Sequence, residues 1–257
     1  MANTTYSNFV LENKIEEMLK TALDMNNYLT VDYSLSEQPG MKKVINKYTA
    51  TGTVADLTMG RGNDSSIEVS FTPVEYTVGV TQGNFAYYDE QEMTDPMVVE
   101  TGIKALSAEL TNDLTTKAIE EFKKATRRAE PNWTFDGIVD AIAMLPAESE
   151  DGLFMLINPA EKAKLRKSLG EDLKYSEGFA RTGYIGSVCG VPVITSKAVP
   201  AGQAFIASKD AVTCFVKKGV EVEQDRDKNL RKNTIYGRKV MVVALTDDTK
   251  VVRMATE

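Results

Sequence analysis

The sequence predicts an α+β fold in which one long helix supports a set of short strands. Three patterns indicate it: apolar residues three and four positions apart over 95–126, polar–apolar alternation over 41–83, and brief apolar runs in the last third of the chain. The first spacing gives a helix one apolar face, and the second gives a strand one packed face. With 257 residues and a hydrophobic fraction of 42%, the chain suffices for one large domain or two modest ones.

The long helix has the clearest signature. Asp95 is predicted as its N-cap, and Pro96 fits its first turn. One continuous apolar stripe follows, made of Ile103, Leu106, Leu110, Leu114, Ala118 and Phe122. Basic residues crowd the C-terminal end, where cations favour the helix dipole: Lys123, Lys124, Arg127 and Arg128. A helix of about 30 residues spans roughly 45 Å. We interpret it as a structural strut, the alternative being a long core helix of an ordinary α+β domain.

Residues 41–83 are predicted to form a long β-hairpin. Ile67, Val69 and Phe71 alternate with polar residues, and the alternation resumes after Pro73. Residues 59–64, MGRGND, have the composition of a turn. Because an isolated two-stranded hairpin is marginally stable in water, this one needs another surface, either within the chain or on a neighbouring copy.

The remaining elements are shorter. An amphipathic helix is predicted over 8–27, and a second helix over 134–144 with Phe135, Ile138, Val139 and Ile142 on one face. Residues 160–169 are predicted as a short basic helix, 175–184 as a loop and 225–233 as a charged polar stretch. Strands are predicted at 153–157, 190–195, 202–207, 211–217, 220–223 and 239–245. Val251 and Val252 are predicted to close a final hairpin across residues 246–249.

Charge and residue usage weigh against several classes of protein. Lys and Arg total 30 and Asp and Glu total 37, so the net charge is −7 and nothing attracts the whole chain to nucleic acid. Histidine is absent, which removes the commonest general base and metal ligand. Cys189 and Cys214 lie in apolar surroundings and are predicted to be buried and reduced. No signal peptide and no apolar run of about 18 residues is visible, so no membrane span is predicted.

No catalytic, cofactor-binding or metal-binding residue is predicted. The acidic groups are interpreted as solvated faces or turns: Glu120 with Glu121, Asp225 with Asp227, and Asp247 with Asp248. Gly60 and Gly62 lie in a hairpin turn rather than between a strand and a helix, so they are not a nucleotide-binding motif. The basic segments 162–167 and 226–232 are all that supports a DNA-binding alternative. Both have acidic neighbours, which favours surface or intersubunit ion pairs.

The order of these parts resembles the major capsid protein of tailed double-stranded DNA phages, which has the Hong Kong 97-type fold. Two passages are the most similar. Residues 190–207, GVPVITSKAVPAGQAFIA, resemble that family's strand, small-residue turn and strand, and residues 234–246, TIYGRKVMVVALT, resemble its closing strand.

The resemblance implies a division of the chain into four parts. Residues 1–35 would be an N-terminal arm and residues 36–93 an E-loop. Residues 94–132 and 220–257 would build a P-domain with the long helix as its spine and a closing sheet. Residues 133–219 would form an A-domain.

The resemblance also implies a function. Copies are expected to form pentameric and hexameric capsomers of an icosahedral head shell, which encloses phage DNA without sequence-specific binding. The protein is then not an enzyme, has no cofactor and no membrane partner, and is found in the virion after assembly in the host bacterial cytoplasm. Because the chain starts almost directly at the arm, we expect a separate scaffolding protein, or a segment already removed. A portal is a further expected partner.

Some members of that family crosslink a loop Lys to an Asn of a neighbouring subunit. The predicted hairpin tip, Arg61 to Asp64, contains no Lys. The lysines at 42, 43 and 47 lie toward the base of the hairpin, and nothing in the sequence positions Asn229 or Asn233. No crosslinking is therefore predicted. Two alternatives remain open: an encapsulin-type nanocompartment shell protein, which shares the fold and holds cargo proteins, and a soluble enzyme of unknown reaction.

Overall fold

The fold was determined as a computed structural model, which describes residues 25–54, 56, 59–60, 66–146, 152–173 and 186–256. The helix predicted over 8–27 lies almost wholly outside the described residues, and Met25–Tyr28 at its end forms a 3₁₀ turn. The loop predicted over 175–184 also lies outside them.

Four α-helices and twelve strands are present among the described residues. The helices are α1 (Asp89–Thr94), α2 (Met97–Phe122), α3 (Phe135–Ala143) and α4 (Pro159–Leu173). The first six strands are β1 (Thr30–Asp32), β2 (Lys42–Thr51), β3 (Glu68–Thr77), β4 (Gly79–Tyr88), β5 (Arg128–Ala129) and β6 (Leu153–Ile157). The other six are β7 (Ser187–Val188), β8 (Val191–Thr195), β9 (Ala204–Ser208), β10 (Val212–Asp227), β11 (Lys232–Leu245) and β12 (Val251–Met254).

The described strands form two sheets and one separate hairpin. A four-stranded sheet has the order β1-β10-β11-β4, and a six-stranded sheet has the order β5-β12-β9-β6-β8-β7. The hairpin consists of β2 and β3 alone. The chain therefore has an α+β fold, as predicted.

The long helix α2 connects these parts. It has 26 residues and spans about 39 Å at 1.5 Å per residue. All six residues of the predicted apolar stripe are at most 5% exposed. The N-cap position predicted for Asp95 is wrong, because the helix begins at Met97 and Pro96 is its N-cap residue. Asp95 lies one residue earlier, where its Oδ1 accepts a hydrogen bond from the Met97 amide at 2.9 Å. The helix ends at Phe122 rather than near residue 126.

Glycines allow α2 to lie close to the four-stranded sheet. Gly83 of β4 and Gly237 of β11 are register partners. A Cβ atom at Gly83 would lie 2.6 Å from Cδ1 of Leu106, so a side chain there would displace the stripe of the helix. Gly102 of α2 has the same role toward Phe85, whose ring would lie 2.4 Å from an added Cβ.

The predicted hairpin is confirmed over β2 and β3 but is shorter than predicted. Ten residue pairs join the two strands, from Lys42 with Thr77 to Thr51 with Glu68. After Val78 the chain leaves the hairpin, and β4 pairs with β11 instead. Residues 79–83 were therefore wrongly assigned to the hairpin. The polar–apolar alternation is the same in β3 and in β4. Only β4 packs beneath α2, and that contact is not visible in the sequence.

The predicted C-terminal hairpin is wrong. β11 ends at Leu245 in the four-stranded sheet, whereas β12 pairs with β9 and β5 in the six-stranded sheet. The strands predicted at 211–217 and 220–223 are one strand, β10, with register shifts on both sides of Lys218. The four-part division of the chain remains a prediction. β10 runs through residues 219–220, where the predicted A-domain ends and the second part of the P-domain begins. β12, which is predicted to belong to the P-domain, lies outside the four-stranded sheet that α2 covers.

Helix α3 packs differently from the prediction. Ile138 is buried and Ile142 partly buried, but Phe135 and Val139 are 49% and 40% exposed. Gly137 instead packs closely against Asn132. A Cβ atom at Gly137 would lie 2.5 Å from the Asn132 side chain and 2.6 Å from the Asn132 backbone oxygen. Part of the apolar face of α3, at Phe135 and Val139, is therefore left uncovered by the rest of the chain.

Replacing Gly137 is expected to destabilise the protein. Gly137→Ala forces the Asn132 backbone to shift, which costs about 1–3 kcal/mol for overpacking and exceeds the roughly 1 kcal/mol gained from helix propensity. Chemical denaturation at one fixed protein concentration measures the difference.

Gly170→Ala is the matched control for that substitution. Gly170 is also helical, but an added Cβ meets nothing within 4 Å. This variant is expected to be stabilised by up to about 1 kcal/mol. Equal effects of the two substitutions would contradict the packing assigned to Gly137.

Candidate assembly surfaces

One face of the β2–β3 hairpin is apolar and uncovered. Tyr48 and Phe71 are register partners, and their ring centroids are 6.2 Å apart. Tyr48 is 68% exposed and Phe71 63%. Val44 and Val69 lie on the same face and are also more than half exposed. We refer to Val44, Tyr48, Val69 and Phe71 as the hairpin patch. Exposed apolar side chains grouped in this way mark an interaction surface.

The base of the hairpin is fixed to the body through its other face. Ile45 and Tyr76 pack against a buried cluster that includes Phe215 and Val240. The Nζ of Lys43 lies 4.7 Å from the centroid of the Phe215 ring, within the range of a cation–π contact. The hairpin thus leaves the body from an anchored base, and its patch has no described partner within the chain.

A polar group around Glu121 reinforces this anchor. Glu121 is only 8% exposed, and its Oε2 accepts a hydrogen bond from the Leu245 amide at 3.3 Å. The Tyr76 hydroxyl donates to the Leu245 carbonyl at 3.4 Å, and Lys124 pairs with Glu121 at 2.5 Å. Burial, and then the charge of Glu121, raise the pKa of Tyr76 above its ordinary value. The end of α2, the end of β11 and the hairpin base therefore form one connected group.

A second polar group fixes the turn between β10 and β11. Asp89, which is 4% exposed, pairs with Arg226 at 2.8 Å. Its Oδ1 accepts a hydrogen bond from the side-chain Nδ2 of Asn233 at 2.8 Å, and its own backbone N–H donates to the Arg231 carbonyl. The turn of this long hairpin is thereby held against the start of α1.

Four of the six acidic residues noted in the sequence have structural roles, and Glu121, described above, is buried rather than solvated as predicted. Asp227 accepts hydrogen bonds from the Asn229 and Leu230 amides in the β10–β11 turn. Asp247 accepts from the Thr249 amide, and Asp248 from the Thr126 amide. No group of three His, Cys, Asp or Glu side chains suited to a metal ion occurs in the part of the chain that the structure describes. Among the described helices, none is both long and apolar enough for a membrane span.

The cysteines and the crosslinking candidates are placed as follows. Neither cysteine forms a disulfide. Cys214 is buried, and burial raises the pKa of its thiol, whereas Cys189 is only partly buried. Lys42 pairs with Glu75 at 2.9 Å, and Asn233 is held by Asp89. The tip residues 61–65 lie outside the described residues. The absence of crosslinking therefore remains a prediction.

Solved structures with a similar arrangement include chains of viral capsids. The chain resembles the capsid of an empty GTA particle with a TM-score of 0.70 at 11% identity, covering 100% of this chain and 93% of the other. It resembles the capsid of cyanophage P-SCSP1u with a TM-score of 0.68 at 10% identity, covering 90% and 86%. The chain has the Hong Kong 97-type capsid fold. That α2 is the spine helix and the β2–β3 hairpin the E-loop hairpin of this fold remains a prediction.

The same fold relates the chain to a further kind of particle. The virus-like particle from Pyrococcus furiosus has a TM-score of 0.65 at 12% identity, covering 96% of this chain and 98% of the other. Identities this low establish the fold alone, so the fold does not by itself distinguish a capsid protein from the subunit of the virus-like particle.

Sequence comparison adds one relative. The protein named major capsid protein of Staphylococcus phage phiMR11 is 26% identical over 129 residues, which are 46% of this chain and 45% of that protein. The match thus spans about half the length of the curated relative. No family model matches the chain.

Removing the buried ion pair at Asp89 is expected to cost more than removing an exposed one. Asp89→Ala leaves Arg226 and Asn233 without their acceptor. Breaking a fully buried pair costs 3–5 kcal/mol, and the partial exposure of Arg226 reduces this to about 2–3 kcal/mol. Glu75→Ala is the control, because both partners of the Lys42–Glu75 pair are more than 60% exposed; it is expected to cost at most about 1 kcal/mol. Denaturant midpoints at equal protein concentration compare the two variants.

Tyr76 is expected to make stability depend on pH at the alkaline end. Its folded-state pKa lies above the unfolded value of 10.0. The stability that it contributes is therefore fully present below pH 10 and is lost as the pH rises through the folded-state pKa. Denaturation of the wild type between pH 8 and pH 11 is expected to show a steeper loss than that of Tyr76→Phe. Parallel curves would show that Tyr76 titrates as it does in the unfolded chain.

Proposed function

We propose that the chain is the major capsid protein of a tailed double-stranded DNA bacteriophage, which assembles with itself into the icosahedral head shell. The observation that carries this proposal is the hairpin patch, an apolar face that an anchored hairpin holds away from the body in a capsid fold. The 26% identical phage relative, named a major capsid protein, supports the same function.

The hairpin patch is suited to a contact between identical copies. A closed shell requires that the same surface meet its neighbours repeatedly in a defined geometry. Aromatic side chains such as Tyr48 and Phe71 supply most of the binding energy when a neighbour covers them. Each contact can be weak, because a shell joins every copy to several others and the contacts reinforce one another.

The proposed capsid role implies particular capsomers, partners and a location. Copies form pentameric and hexameric capsomers in the host bacterial cytoplasm and end in the virion. A separate scaffolding protein and a portal assist assembly. The packaged DNA is enclosed without sequence-specific contacts, which agrees with a net charge of −7.

An encapsulin-type nanocompartment shell is the second candidate. The likeness to the virus-like particle from Pyrococcus furiosus, whose TM-score of 0.65 is near those of the phage capsids, keeps a shell other than a phage head open. Sequence similarity favours the phage instead, because the curated relative is a phage protein. Particles purified from the native source would contain DNA in the first case and cargo protein in the second.

Charge placed on the hairpin patch is expected to abolish assembly. Phe71→Asp would bury a carboxylate against the apolar surface of a neighbour, which costs several kcal/mol for each unpaired charge. The fraction of protein in particles, measured by sedimentation and electron microscopy, is expected to fall to background while the subunit stays folded by circular dichroism.

Thr72→Asp is the matched control for this experiment. Thr72 is the next residue of the same strand, is exposed, and lies on the opposite face in register with Lys47. This variant is expected to assemble as the wild type does. Shells from Phe71→Asp, or no shells from the wild type under any condition, would overturn the proposed function.

A further inference from the structure

Helix α3 carries a second uncovered surface, separate from the hairpin patch. Phe135 and Val139 are 49% and 40% exposed and lie on the same side of the helix, one turn apart. Asp136 and Asp140 form an exposed acidic row beside them. Among the described residues, no ion-pair partner of either aspartate is found. We refer to these four residues as the acidic face of α3.

Helix α4 carries a surface of the opposite charge. Lys162 and Arg166 are one turn apart, and Lys167 lies beside them. Like charges at this spacing repel each other, and burial together with Arg166 lowers the pKa of Lys162. No described carboxylate pairs with any of the three, in contrast to Lys164, which pairs with Glu161 at 2.9 Å. We refer to Lys162, Arg166 and Lys167 as the basic face of α4.

The two faces cannot meet within one subunit. Both helices cover the same side of the six-stranded sheet, where Ile138 and Leu165 share one core. α3 contacts β12 near one end of the strand order, and Lys162 of α4 reaches the Val193 carbonyl of β8 near the other. Ser168 of α4 donates to the Trp133 carbonyl, just before α3, at 2.6 Å. Lys162 and Arg166 project about 120° and 160° from Ser168 around α4, so these two residues of the basic face are turned away from α3.

We propose that the acidic face of α3 in one copy docks on the basic face of α4 in the next copy, head to tail. The occupant is a second copy of this chain, because the two faces match in charge and lie at opposite ends of one helix layer. A head-to-tail contact of this kind closes into a ring when the rotation permits. Phe135 and Val139 supply the apolar centre, and the charges fix the register. This inference rests on the proposed function, since it names a contact within its capsomers.

Intersubunit crosslinking tests the contact. Val139→Cys and Ala163→Cys are combined in a Cys189→Ser background, with Cys214 kept because it is buried. Ala163 is exposed and lies between Arg166 and Lys167 around the helix. Assembled protein is treated with a short bis-maleimide, and products are separated on a denaturing gel. We expect a ladder of trimers and larger species, because each copy then carries both partners of a head-to-tail contact.

The single-cysteine variants are the matched controls. Neither Val139→Cys nor Ala163→Cys alone is expected to crosslink, since each cysteine would face a residue without a thiol. Dimers from Val139→Cys alone would show that α3 meets α3 instead, and the absence of a ladder from the double variant would show that the faces do not meet. Either result overturns the inference.

Electron microscopy of the same samples separates this inference from the proposed function. Closed shells without a ladder mean that the function holds and the contact is wrong. A ladder that ends in rings, with no closed shell under any condition, means that the contact holds and the shell function is wrong. With neither shells nor a ladder, both proposals are overturned.

Discussion

The packing of one apolar stripe along α2 is the constraint on which the rest of the structure depends. Its N-terminal half lies over β4 and β11, where facing glycines let Leu106 approach the sheet. Its C-terminal residue, Phe122, contacts Phe154 and Phe205 of the six-stranded sheet, with ring centroids 6.2 and 5.9 Å away. One rigid helix therefore fixes the positions of both sheets, and a change in its stripe would affect each of them.

A rigid body of this kind permits surfaces that would be unstable alone. A two-stranded hairpin gains too little burial to persist in water by itself, yet here Tyr76, Ile45 and Lys43 fix its base to the core. The hairpin patch can then remain uncovered at little cost to the monomer. The same reasoning applies to α3, which is held by Ile138 and Ala141 while Phe135 and Val139 stay exposed. In both places the apolar surface that the monomer leaves open is available to another copy.

The comparisons show how little of the sequence this architecture requires. Chains from two capsids and a virus-like particle that are only 10–12% identical to this one share most of the fold. A helix stripe or a strand face needs apolar residues of suitable volume at the right period, and many residues satisfy that demand. Contacts between copies are more specific, because they depend on side chains that the fold does not dictate. The hairpin patch and the two charged helix faces are the surfaces for which we propose contacts of this second kind.

The sequence by itself determined the elements with a strong local period. The α2 stripe, the β2–β3 pairing and the buried strand over 153–157 all follow from spacing and turn composition, which act over a few residues. Only the tertiary structure decided which strands share a sheet, that β12 joins β9 rather than β11, and that Phe135 and Val139 face outward. These outcomes depend on contacts between residues far apart in the chain. A local alternation is the same whichever partner covers it, so the pattern could not reveal them.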